Sequence, residues 1–328
     1  MQFAFGVDIG TTTVSAVVVD SRGSVVESLT RAHEADVESE CQGVSEQDPE
    51  KFLAAASDAL SELRSKYGEP TRIGWTGQMH GVVAVDEGLH PLTRFVTWRD
   101  ARRFGGAVMQ EWERKGLTPF KCLTAPGFVY ASLFGPCRTD ETFNESWHLN
   151  GETPSSWLPE VVDGLMLGDN QAGVYAAQRL VPGCAVVNIG TSGQLSVVVD
   201  GEDSRACPQD VERRCYVGGK KLDCRASLIG GQALSALRRR LGIAWQEFNE
   251  WAADNPEIRS CLETVVDDLM VGMRLEGISG LVGVGNALRL NPALRVVVER
   301  RFGMPCMIPD VTEMAAYGAA LYAMDNSR

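Results

Sequence analysis

The chain has 328 residues, 44% of them apolar, and a formal net charge of −12, with an isoelectric point near 4.9. That length admits two domains, each with its own core, and no run approaches the roughly 18 apolar residues of a membrane span. So acidic a chain is unsuited to nucleic acid, and any polyphosphate it holds must be neutralised locally, by a metal and backbone donors. The N-terminus lacks the basic, apolar and small-residue run of a secretory leader, which makes the cytoplasm the expected location. Nine cysteines without a Cys-x-x-Cys pair read as reduced thiols rather than zinc or iron–sulfur ligands.

The first element is a buried-looking strand, Phe3-Ala4-Phe5-Gly6-Val7, that ends on Asp8. Val7-Asp8-Ile9-Gly10-Thr11-Thr12-Thr13, running on to Val17-Val18-Val19-Asp20, reads as a hairpin whose tip offers backbone N–H and hydroxyl donors, which suits a phosphate. The same pattern returns 180 residues later, from Val187-Asn188-Ile189-Gly190-Thr191-Ser192-Gly193 to Val197-Val198-Val199-Asp200, and eight of the fourteen aligned positions are identical. Two such tips predict a duplicated domain with a nucleoside triphosphate in the cleft between the halves. The plainer reading is a chance likeness of two Val-rich hairpins. Asp8 weighs against it, because a carboxylate ending a buried strand costs free energy unless it binds something, and hydrated Mg²⁺ beside phosphates is its natural partner. Its counterpart Asn188 is uncharged, so the metal is expected nearer the first hairpin.

Further along, a strand is predicted at 25–29 and a helix at 49–67, with Asp48 and Pro49 as start signals and Phe52, Leu53, Ala56, Leu60 and Leu63 on one face. Strands follow at 73–76, 82–85 and 95–98, then a helix over 100–115. Residues 116–159, rich in proline and glycine, read as a loop-rich connector. The second half opens at 165–171 and its own hairpin. A helix at 231–241 follows, then acid-capped helices around Trp245 and Cys261, a Gly-rich segment at 280–285, one long helix to 301, a strand at 306–308 and a closing helix at 313–324. This order repeats the plan of the first half and predicts two α/β domains, 1–160 and 161–328, around a cleft.

Within this frame five stretches could carry chemistry. Gly77-Gln78-Met79-His80-Gly81 places an amide, a thioether and an imidazole between glycines that expose backbone to a small polyol; a plain surface turn is the alternative. Trp98-Arg99-Asp100 offers an aromatic wall and a carboxylate, or an N-capped surface helix. Gly168-Asp169-Asn170 brings a carboxylate to the start of the second half. Phosphoryl transfer to a hydroxyl needs a group to accept the proton, and an Asx-turn or helix cap would use Asp169 equally well. Gly230-Gly231 and the pair Gly283 and Gly285 let backbone approach a flat ligand or phosphate, or simply reverse the chain.

Taken together and in this order, these motifs resemble those of the FGGY carbohydrate kinases, and most closely their sedoheptulokinase-like ketose kinases. The resemblance implies an α/β fold of two ribonuclease H-like domains, of the actin, hexokinase and Hsp70 superfamily, around a central cleft. It implies ATP- and Mg²⁺-dependent phosphorylation of a ketose or related polyol, sedoheptulose- or xylulose-like. Thr11, Thr12, Gly190 and Thr191 would then meet the phosphates, and Gly230, Gly231, Gly283, Gly285 and Asn291 the rest of the nucleotide. Gln78, Met79, His80, Trp98, Asp100, Asp169 and Asn170 would surround the sugar, with Asp169 as general base and Asp8 on the metal. The partner is a small-molecule sugar, with no nucleic acid or membrane, and a homodimer is admissible. The rivals are a catalytically weak sugar- and nucleotide-binding relative, or another sugar kinase or regulator of the superfamily. Three departures stand out: Ser15 replaces a usual Lys or Arg, Val284 replaces a usual glycine, and only 68 residues separate Asp100 from Asp169.

Overall fold

The computed structural model describes residues 2–102, 107–143 and 153–326. The chain divides into two compact units, one of Met1–Ala176 with Glu313–Arg328 and one of Ala177–Thr312. The first is built on a five-stranded sheet in the order Met166–Gly168, Arg72–Gly77, Phe3–Ile9, Thr13–Asp20, Val25–Ala32. Phe3–Ile9 is central, antiparallel to its hairpin mate and parallel to Arg72–Gly77, in a register that sets Ser15 and Thr76 on either side of Asp8. Thr13–Asp20 is buried along almost its whole length, as a strand covered on both faces must be.

The helix Pro49–Tyr67 is one of those covers. Asp48 accepts a hydrogen bond from the Glu50 N–H, Pro49 stands where no N–H is needed, and Phe52, Ala56, Leu60 and Leu63 share the core of the sheet. The other cover is the closing helix, Met314–Asp325, whose buried face is largely alanine. It lies against the sheet backbone itself. A Cβ on Gly6 would stand 1.9 Å from the Ala316 carbonyl oxygen, and one on Gly74 1.9 Å from that of Ala319. Only glycine permits so close an approach.

The sequence boundary at 160/161 is therefore not where the compact units divide. Met166–Gly168 pairs with Arg72–Gly77, and the closing helix belongs with Gly6 and Gly74. The connector at 116–159 is also more ordered than predicted. It contains the helix Ala125–Phe134, capped by Thr124, with Pro126 in the first turn and Phe128, Val129 and Ala131 in the core. Prolines that look like breakers in sequence are helix starters there. The helix expected over 100–115 is Ala107–Arg114 among the described residues, and 103–106 lie outside them.

The second unit has a six-stranded sheet in the order Glu212–Cys215, Lys221–Ser227, Gly193–Val199, Ala185–Ile189, Leu281–Val284, Cys306–Met307. Ala185–Ile189 repeats the pairing of Phe3–Ile9, antiparallel to its hairpin mate and parallel to a later strand. The helices Gly231–Leu241, Pro256–Met270 and Pro292–Phe302 bury Leu234, Leu262 and Val298 in one core. The long helix expected up to 301 is two, Asn286–Leu290 and Pro292–Phe302, because Pro292 restricts Asn291 to extended backbone.

Gly74→Ala should lower the melting temperature of the protein by several degrees, since overpacking costs about 1–3 kcal/mol, and should free the C-terminal segment for proteolysis. Wild-type melting and proteolysis in this variant would show that the helix is not seated on Gly74.

Candidate active site

The first unit gathers carboxylates at one end of its sheet. Asp8 is half-buried, with its Oδ1 out of water and without a hydrogen-bond partner, and the neighbouring Thr76 Oγ1, fully buried, is in the same state. Burial above all, then the nearby charges of Asp169 and Glu313, push the Asp8 carboxyl up to about 8. The three acids come from different places: the end of Phe3–Ile9, the first residue of the helix Asp169–Leu180, and the residue before Met314–Asp325. Two helix N-termini, which favour negative charge, thus open toward these acids. An orphaned carboxylate oxygen fits a cation. Among the described residues no group of three or more His, Cys, Asp or Glu is arranged to hold a metal alone, so a metal at Asp8 would take its remaining oxygens from water and ligand, as Mg²⁺ does.

Asp169 is firmly based. Its Oδ1 accepts the N–H of the next residue, Asn170, at 2.7 Å. The Gly168 N–H donates to Thr142 Oγ1 at 3.0 Å, and Met79 Sδ packs so close that a Cβ on Gly168 would lie 2.6 Å from it.

The hairpin tip is held from inside. Gln47 Nε2 donates to the Thr11 carbonyl at 2.6 Å and to Asp36 Oδ1 at 2.7 Å, while its Oε1 accepts from Gln78 Nε2 at 2.9 Å. His33 Nε2 reaches the Gly10 carbonyl at 3.2 Å. Over the outer side, Trp98 Nε1 donates to Thr11 Oγ1 at 3.0 Å, its ring exposed and stacked by Arg99 at 5.2 Å. Ser15, opposite Asp8, is buried and hydrogen-bonded to Thr30 Oγ1 at 3.0 Å.

Of the residues expected around a sugar, the structure leaves Trp98 exposed and His80, Asp169 and Asn170 half-buried. His80 takes φ 61°, a left-handed conformation that a non-glycine residue holds only under constraint. Gln78 and Met79 point inward, buried against the hairpin and Gly168. Asp100 lies inside the fold. Its side chain is fully buried and accepts from the Ser45 N–H at 2.9 Å and from Arg102 Nε and Nη2 at 3.0 and 2.7 Å. Burial alone would push this carboxyl up, but the Arg102 side chain and the two backbone N–H groups overcome that and hold it below the usual range. Asp100 is the counter-ion of Arg102, which also pairs with Glu46 and Glu111.

In the second unit a cavity of about 770 Å³ brings together Gly190, Thr191, Gly231 and Asn291 with Arg239 and Trp245. Its spacing was readable: Gly231, Ser235 and Arg239 recur every four residues along Gly231–Leu241 and line one wall. The other expected glycines are not in the lining, and chain packing explains each. A Cβ on Gly230 would stand 2.4 Å from the Ser192 carbonyl carbon, one on Gly283 2.6 Å from Leu288 Cδ2, and Gly285 has φ 88°. Asn291 is buried, its amide donating to the Ala287 carbonyl at 2.6 Å across the break between two helices. Trp245 offers a flat aromatic face beside Arg238, whose guanidinium lies 5.2 Å from the ring centroid.

Residues 3–124 match the model of the FGGY family of carbohydrate kinases, N-terminal domain. A xylulose kinase of Staphylococcus xylosus is 34% identical over 104 residues, 31% of this chain and 21% of that protein; the match thus spans about a fifth of that relative's length. A sedoheptulokinase of Mus musculus is 25% identical over 462 residues, with 96% of each chain covered. Among solved structures, a ligand-bound xylulose kinase from Lactobacillus acidophilus superposes with a TM-score of 0.84 at 15% identity, covering 98% of this chain and 89% of that one. A Plasmodium falciparum glycerol kinase with ADP gives 0.78 at 16%, covering 98% and 89%. The chain, with its two hairpin-centred sheets, thus shares the α/β fold of these solved kinases. In sequence, residues 3–124 are similar to the N-terminal domain of the FGGY family of carbohydrate kinases.

A pH effect follows from Asp8. The folded protein holds there a proton that the unfolded chain releases near pH 4, so stability falls as pH rises from about 4 to about 8 and levels off above. Asp8→Asn should match wild type in melting temperature below pH 4 and exceed it by several degrees above pH 8. A variant that tracks wild type at every pH would show Asp8 to be ordinarily hydrated.

Proposed function

We propose that the protein is an ATP- and Mg²⁺-dependent kinase of a ketose or related polyol, sedoheptulose- or xylulose-like. The observation that carries this is the pair Asp8 and Asp169, one carboxylate with an oxygen out of water and without a hydrogen-bond partner, the other on a helix start beside it. The cavity with Trp245 and Arg239 suits the adenosine, and the tips at Thr11, Thr12, Gly190 and Thr191 suit the phosphates. Full-length similarity to a sedoheptulokinase and partial similarity to xylulose kinases favour a ketose, and the glycerol kinase with ADP supports the nucleotide.

Asp169 accepts the proton of the sugar hydroxyl as its oxygen bonds the γ-phosphorus, and the bond from that phosphorus to the β-phosphate oxygen breaks to leave ADP. Asp8 would hold Mg²⁺, which would supply charge neutralisation to the phosphates. Trp98 offers its face to the sugar, and the constrained His80 turn presents backbone to the hydroxyls. One feature favours the slower rival, a binding protein with weak transfer: Ser15, tied to Thr30, brings no cation to the hairpin.

The test is ADP formation with a panel of xylulose, sedoheptulose, gluconate and glycerol, for wild type and Asp169→Asn. Wild type should respond to at least one ketose, and the variant should bind ATP normally but turn over roughly 10²-fold more slowly. No sugar-dependent ADP with any of them would favour the binding-protein reading, and a variant within a few-fold of wild type would move the base elsewhere.

A further inference from the structure

The two hairpin tips share a feature that residue identity alone does not reveal. In each, both carbonyls of the Gly-Thr pair are tied back into the unit that carries it. In the second unit the Gly231 and Gln232 N–H groups donate to the Gly190 and Thr191 carbonyls, at 2.9 and 3.0 Å. In the first unit no helix start does this among the described residues, and side chains take over: His33 and Gln78 at Gly10, Gln47 at Thr11. His33 accepts the Ala35 N–H on Nδ1, so its Nε2 carries the proton and donates.

A trans peptide is planar, with its N–H opposite its C=O, and there is no cis bond among the described residues. Drawing the Gly10 carbonyl inward therefore turns the Thr11 N–H outward, and drawing the Thr11 carbonyl inward turns the Thr12 N–H outward. We infer that Gln47 is a positioning residue for phosphate binding: fully buried, it fixes the direction of the hairpin's N–H donors through the Thr11 carbonyl, with His33 and Gln78 doing the same at Gly10. The 2.6 Å bond is the shortest of these contacts, and Asp36 holds the same amide nitrogen at 2.7 Å, which leaves Gln47 one orientation. This rests on the nucleotide reading above.

The experiment is calorimetric binding of Mg²⁺·ATP and of adenosine to wild type, Gln47→Met and Asp36→Ala. Adenosine carries no phosphate, so it reports the second unit's cavity and general integrity but not the donors at Thr11 and Thr12. Gln47→Met should weaken ATP roughly 10-fold, the loss expected when a buried hydrogen-bond donor is removed, and leave adenosine unchanged within about twofold. Asp36 is exposed, so Asp36→Ala keeps the fold if the buried substitution does not; it should weaken ATP in the same selective way, by a smaller factor. Wild type that binds both ligands, with variants that bind ATP equally well or lose both ligands in parallel, overturns the positioning role alone. Wild type that binds neither ligand removes the nucleotide reading, and this inference with it.

Discussion

A carboxylate that ends a buried strand must either keep its proton or find a cation, and Asp8 is placed where neither water nor a hydrogen-bond donor reaches its Oδ1. The rest of the first unit maintains that condition. Gly6 and Gly74 let a helix backbone lie on the sheet, which covers the face of the sheet that Asp8 and Thr76 share and leads Glu313 to the same end. The turn from Met166–Gly168 into its helix delivers Asp169. Each added acid raises the cost of ionising Asp8 without a metal. A site assembled this way is poised to exchange a proton for a cation. Asn188, at the matching place in the second unit, is exposed and uncharged, and no such poise exists there.

The two units reach similar hairpin geometry by different chemistry. In one a helix start supplies backbone N–H groups to the tip carbonyls, and in the other a glutamine and a histidine do so. A backbone solution tolerates side-chain change, whereas the side-chain solution depends on particular residues. That difference makes the first hairpin the more vulnerable of the two to substitution behind its tip.

Much of the fold was legible because its signals are local. The helices Pro49–Tyr67 and Gly231–Leu241 fall where capping, proline and apolar spacing put them, and the paired hairpins are a repeat visible in sequence. What could not be read depends on contacts between distant residues. Nothing near residue 314 announces that its helix docks on Gly6 and Gly74, so the unit boundary was out of reach. Asp100 looked like a rim carboxylate because its pairing with Arg102 and Ser45 is tertiary, and Gly283 looked like a ligand contact because its crowding by Leu288 and Cys306 is invisible in a string of letters. Arg239 was missed for a different reason, since the four-residue period from Gly231 reaches it, whereas Trp245 lies on the next helix and only the fold brings it to the cavity.

The account depends most on the proton held by Asp8. Calorimetric titration of the free protein with Mg²⁺·ATP at pH 7, repeated in buffers of different ionisation enthalpy, measures protons released on binding. With the carboxyl pushed up to about 8, close to one proton should leave per nucleotide bound, and Asp8→Asn should release none. Binding by wild type with no net proton release would mean that Asp8 is already ionised in the free protein, and would contradict the account.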